Sequence, residues 1–139
     1  MGLSQLIYIS SKMPLPPGGI FDIQRTGERN NVRDEITGVL LFNSSYFLQC
    51  LEGEREPVTA AFARIAADDR HRRVNLLFAA DVAERAYPSW SMGLLDASSP
   101  SVLVVLQAVL PGGLFMPANI STDVARALLH KLRNVQLTR

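Results

Sequence analysis

The chain alternates between apolar runs of strand length and segments whose apolar residues return every three or four positions. Residues 3–9 (LSQLIYI) read as a buried first strand. The punctuation MPLPPGG at 13–19 predicts a loop. A helix is expected over about residues 20–30, on the sparse apolar positions Ile20, Phe21 and Ile23. Gly27 lies inside it, at a cost of ~1 kcal/mol relative to alanine. ITGVLLF (36–42) and SYFLQCLEG (45–53) predict two strands, and the short NSS between them suggests a hairpin. EPVTAAFARIAADD (56–69) is the clearest helix. Pro57 suits its first turn, and Val58, Ala61, Phe62, Ile65 and Ala66 recur at helical spacing. RRVNLLFAADV (72–82) and SWSMGLLD (89–96) predict two more strands.

The resulting order, β-α-β-β-α-β-β, is that of an α+β protein of ferredoxin-like arrangement. Two helices lie on one face of a mostly antiparallel sheet. That leaves the other face bare, and the tail is expected to cover it. An apolar run at 102–110 is broken by PGG (111–113), and a last helix is expected at about 122–133 through Val124, Ala125, Leu128, Leu129 and Leu132. The fold expectation is therefore ferredoxin-like with two additional C-terminal helices.

Composition narrows the setting. With 139 residues, 47% of them hydrophobic, the chain suits one domain with a real core. A net charge of +1 gives no sign of a nucleic-acid or membrane-surface protein. The single cysteine, Cys50, can form no internal disulfide, which fits a reducing compartment. The start MGLSQLIYISS lacks the basic opening and small-residue cleavage site of a secretory signal, and Leu6 stands where a myristoylation motif has Ser or Thr. The run at 102–110 is too short to span a bilayer. A cytoplasmic protein is expected. No GxGxxG or Walker loop, no GxSxG elbow and no acylphosphatase-like anion loop is present, and two histidines with one cysteine make no convincing metal site. An enzyme is not expected.

Several polar groups stand in apolar settings. Gln49 sits within FLQCLEGE and shares a strand face with Phe47 and Leu51. A buried amide without partners costs roughly 1–3 kcal/mol. Tyr8 is flanked by Ile7 and Ile9. Ile23, Gly27, Asn30 and Asn31 follow at helical steps, the two asparagines closing the predicted helix. On the last predicted strand Trp90 and Met92 would point the same way. Each has a plain structural reading: a satisfied core amide for Gln49, a helix C-cap for Asn30, core packing for Tyr8, Trp90 and Met92. Arg64 and Asp68 would form a surface pair, and His71 would be an exposed loop residue. Together, uncharged donors and acceptors around a helix face with glycine at its centre suit a neutral planar heterocycle with carbonyls and ring nitrogens.

LIYIS with Tyr8, RNNVRDEITGVLLF with Asn30 and Asn31, FLQCLEG with Gln49, ARIAADDRH with Arg64, Asp68 and His71, and YPSWSMG with Trp90 and Met92 occur in order. In this the chain resembles the BLUF domain, the blue-light sensor that uses FAD, over about residues 3–96. The resemblance implies FAD between the two helices. Gln49 would hydrogen-bond both flavin and Tyr8, Asn31 and its neighbour Asn30 would hold the flavin's carbonyl edge, and Ile23 and Ile65 would sandwich the ring. Arg64, Asp68 and His71 would be polar contacts near the second helix, and Trp90 and Met92 the pair beside the glutamine. Gly27 departs from the pattern, since many members carry a small hydroxyl residue there.

The implied photocycle is electron and proton transfer from Tyr8, with Gln49 left rotated or tautomerised and a slightly red-shifted state. Residues 1–96 would be the sensor core and 97–139 a helical extension for capping, relay or oligomerisation. The output would pass to an unidentified protein partner or to homo-oligomer assembly. The rivals are a flavin-free ligand-binding module, a structural interaction domain and a flavin enzyme.

Overall fold

The structure, a computed structural model of the chain, describes residues 2–135, 137 and 138. Five strands form one sheet: β1 (Leu3–Lys12), β2 (Thr37–Phe42), β3 (Tyr46–Glu54), β4 (His71–Val82) and β5 (Gly93–Asp96). Their spatial order is β4-β1-β3-β2-β5. All neighbours are antiparallel except β2 and β5, which run parallel. Helix α1 (Gly19–Asp34) connects β1 to β2, and α2 (Arg55–Ala67) connects β3 to β4. Two further helices, α3 (Pro100–Val109) and α4 (Thr122–Lys131), follow the sheet. The ferredoxin-like α+β expectation with two C-terminal helices holds.

Strand alternation sorts the sheet into two faces. Leu6, Tyr8 and Leu51 pack with Ile36, Val58 and Ala61 beneath α2, while Leu40, Phe47, Met92 and Leu94 pack beneath α1. On the opposite face Ile7, Ile9, Leu41, Leu48 and Cys50 join Val102 and Leu106 of α3 and Leu128 of α4. Full burial of a leucine such as Leu128 contributes roughly 1.5–3 kcal/mol, so the tail helices add substantially to the core.

The first helix runs four residues beyond the predicted end. Asn30 and Asn31 lie inside it rather than closing it. The turn comes at Glu35, which takes a left-handed conformation (φ 56°) while the Asn31 carbonyl accepts the N–H of Ile36 at 2.8 Å. No glycine marks that cap, so the sequence did not advertise it.

The last strand is shorter than predicted. Only Gly93–Asp96 pair with β2, and residues 90–92 lie outside the ladder. Their carbonyls are claimed by other donors: the Gly38 N–H binds Trp90 O (2.8 Å), Asn31 Nδ2 binds Ser91 O (2.7 Å) and Gln24 Nε2 binds Met92 O (3.1 Å). Trp90 and Met92 therefore do not share a face. The connector from β4 to β5 is anchored at its other end by Glu52. Its fully buried carboxylate accepts the backbone N–H groups of Ala86 and Tyr87 (2.9 Å each) and Gln5 Nε2 (2.8 Å). Arg85 adds bonds to Thr37 Oγ1, Glu52 O and Glu35 O.

Candidate functional site

The sheet register sets the centre of the site. Tyr8 on β1 lies opposite Gln49 on β3, and Gln49 lies opposite Leu40 on β2. All three side chains face the two flanking helices, because each is reached by period-two alternation from a core neighbour. The Tyr8 hydroxyl donates to Gln49 Oε1. The other end of the same carboxamide, Nε2, donates to Met92 Sδ at 3.3 Å. Gln49 thus stands between a hydroxyl and a thioether, with its burial offset by both bonds.

A cleft opens above this pair, between α1 and α2. It contains about 630 Å³ of non-atom space, its open mouth included. Ile23, Gly27, Asn30 and Asn31 line it from α1, Ala61, Arg64 and Ile65 from α2, and Asp68, Arg70, His71 and Met92 complete it. A Cβ on Gly27 would come within 2.9 Å of Met92 Cε, so glycine there leaves room for the end of the methionine side chain. Trp90 does not line the cleft. It stacks on Tyr87, with ring centroids 5.5 Å apart, and packs against the core on the opposite sheet face. Met92 is the member of that pair that reaches the glutamine.

Electrostatics keep the deep end neutral. Burial pushes the Tyr8 phenol far above its ordinary range, and the Asp68 charge adds to this, so the hydroxyl is protonated. His71 is buried rather than exposed; its Nδ1 lies 2.9 Å from Ser10 Oγ and its ring packs on Phe47 at 4.7 Å. Burial lowers its pKa, with the Asp68 charge opposing and Arg70 assisting. Arg64 and Asp68 do not pair with each other. Arg64 reaches Asp34 at 3.2 Å, and Asp68 binds Arg70 at 2.5 Å, a hydrogen bond that holds its carboxyl below the usual range. The cationic groups of Arg64 and Arg70 are partly solvent-exposed and stand at the mouth.

These residues fit a flavin nucleotide. The amides of Asn31 and Gln49 are buried, isoleucines stand on both helices, and the partly exposed Arg64 and Arg70 supply cations to the lining. Nine predicted residues come together at the cleft: Tyr8, Ile23, Asn30, Asn31, Gln49, Arg64, Ile65, Asp68 and His71, with Met92 beside them. Thr26, Leu40, Ala61 and Arg70 also line it and were not picked out. Thr26 is one turn from Ile23 and Asn30, and Arg70 stands within ADDRH, so both were in reach. Among the described residues there is no cluster of metal-ligating side chains, and no helix long and apolar enough to cross a membrane.

Comparison with known proteins places the chain in a family. The model of the BLUF family, "Sensors of blue-light using FAD", matches residues 3–93. The photoactivated adenylate cyclase subunit beta of Euglena gracilis is 36% identical over 110 residues, covering 78% of this chain and 13% of that protein. The blue light- and temperature-regulated antirepressor BluF of Escherichia coli (strain K12) is 34% identical over 112 residues, covering 80% of this chain and 28% of that protein. The chain thus spans a small part of the length of these relatives. The dark-state structure of BlrB, a BLUF protein, superposes with a TM-score of 0.77 at 30% identity, covering 94% of this chain and 93% of that one. The chain belongs to the BLUF family of flavin-based blue-light sensors.

Proposed function

We propose that the cleft between α1 and α2 binds FAD and that Tyr8 and Gln49 turn absorbed blue light into a changed hydrogen-bond pattern. The observation that carries this is the Tyr8–Gln49 hydrogen bond at the buried end of the cleft. Asn30, Asn31 and Gln49 would hold the carbonyl and ring-nitrogen edge, and Ile23 and Ile65 would pack against the ring system. Arg64 and Arg70 supply positive charge for the phosphates, and Asp68 and His71 supply polar contacts.

When bound, the flavin supplies a light-driven oxidant. Tyr8, whose phenol burial and Asp68 keep protonated, would be the electron donor, passing that electron to the bound flavin, which would later return it. The oxidised phenol is a strong acid, and its proton passes along the existing hydrogen bond to Gln49 Oε1. Return of the electron and a proton to Tyr8 leaves Gln49 rotated or tautomerised. Turning the carboxamide exchanges its ends. Nε2 then faces Tyr8, and Oε1 faces Met92, whose sulfur has no proton to give. The Met92 contact is therefore attractive before rotation and unfavourable after it, so where Gln49 rotates, Met92 reports its state. Nothing is consumed, and the state decays thermally.

The connector then carries the change toward the opposite face. Trp90 stacks on Tyr87, and the Tyr87 hydroxyl donates to Leu129 O of α4 at 2.7 Å. Residues 97–139 would act as cap and relay of the sensor core (1–96), and the output would be a downstream protein partner in the cytoplasm or a change in self-association. Titrating flavin-free protein with FAD tests the site. Saturable binding that weakens on Asn31→Ala and Ile65→Ala supports it. Absence of binding, or binding indifferent to both changes, refutes it.

A further inference from the structure

We infer that Gln24 is a positioning residue for this switch: it pins the backbone of Met92 and so fixes the sulfur that Gln49 addresses. The inference rests on the light-sensing role of Gln49 argued above. Gln24 is 2% exposed, a buried amide on a helix whose only other buried members among the described residues are Gly19 and Asn31. Its Nε2 donates to Met92 O at 3.1 Å and to Glu28 Oε2 at 3.3 Å. It does not line the cleft, so its contact with the reacting groups runs through Met92.

An apolar residue could fill this place in the core as well. It would leave the Met92 carbonyl without its donor, in a segment that has no sheet ladder to fall back on. Asn31 pins Ser91 in the same way, but Asn31 also lines the cleft and would share its amide with the flavin. Gln24 has no such second duty. With the carbonyl pinned, Met92 cannot retreat when Gln49 turns, and the unfavourable oxygen–sulfur contact drives the return. Releasing the carbonyl lets the methionine move aside and slows that return.

The test uses Gln24→Met, which keeps length and apolar bulk and removes the donor, with Gln24→Leu in reserve should it misfold. Thermal recovery of the red-shifted state is expected to slow by about three- to fivefold, within the scale of one lost hydrogen bond and no more than removal of the sulfur itself. Combined with Met92→Leu, the same change is expected to alter recovery by less than about twofold, because the sulfur it acts through is gone. In flavin-free protein, amide hydrogen exchange at residues 90–93 is expected to rise at least about threefold, with β1 and β3 unchanged. Recovery and exchange both at the parent level would overturn the inference. So would equal slowing in the Met92→Leu background, which marks a general helix effect. If the parent protein binds flavin without any reversible shift, the light-sensing reading fails, and the exchange measurement alone decides whether Gln24 pins the connector.

Discussion

Replacing Tyr8 by phenylalanine removes one oxygen from the centre of the site and little else. The ring is fully buried and keeps its neighbours, Phe62 at 5.7 Å and His71 at 6.1 Å between centroids. What is lost is the donor to Gln49 Oε1. An unsatisfied buried acceptor costs ~1–3 kcal/mol, so the unfolding free energy read from a urea melt should fall by that amount and no more. Flavin affinity should change little, because the hydroxyl is committed to Gln49. The photochemical consequence is larger than the energetic one. Phenylalanine has no phenolic proton to pass to Gln49 and is far harder to oxidise, so the FAD-loaded variant should show no red shift under blue light. Difference spectra recorded dark and illuminated, beside a urea melt, read both effects. A red shift of parental size and recovery in Tyr8→Phe would refute the mechanism.

Other expectations follow from neighbouring contacts. Met92→Leu conserves volume but removes the sulfur 3.3 Å from Gln49 Nε2. With that orientation as the resting one, recovery should slow by up to about fivefold, corresponding to ~1 kcal/mol, and a rate within experimental error of the parent would count against it. Glu52→Leu strands the Ala86 and Tyr87 N–H groups and Gln5 Nε2, and should cost ~3 kcal/mol or more in a urea melt; a loss under ~1 kcal/mol would show the connector is held otherwise. His71 is buried with a lowered pKa, so the unfolded chain takes up its proton first as pH falls below about 6.5. Stability should therefore drop as pH falls from there through the depressed native value, and His71→Gln should flatten that slope in pH-dependent melts. An unchanged slope would remove His71 as its source.

Much of this was readable from the residues because strand alternation is rigid. Once Phe47 and Leu51 are core, Gln49 must share their face, and the β1–β3 register then brings Tyr8 opposite it. The helical steps from Ile23 through Gly27 to Asn30 and Asn31 place one wall of the cleft equally directly. What alternation could not show is where it stops. SWSMGLLD looks like a strand, but α1 side chains take the carbonyls of Ser91 and Met92, and the ladder begins only at Gly93. Trp90 and Met92 consequently part, one to each side of the sheet. The same contacts explain why Gln24 was passed over: a glutamine on a polar helix looks solvated until the backbone it binds is known to be irregular. His71 and the Asp68–Arg70 pair were hidden by a loop whose path the sequence does not specify.

The most direct test of the central claim is the absorption spectrum of the flavin-loaded protein, in darkness and then under blue light. A flavin spectrum that shifts slightly to the red and returns in the dark is the expected result. A spectrum that bleaches or stays fixed would contradict the Tyr8–Gln49 switch.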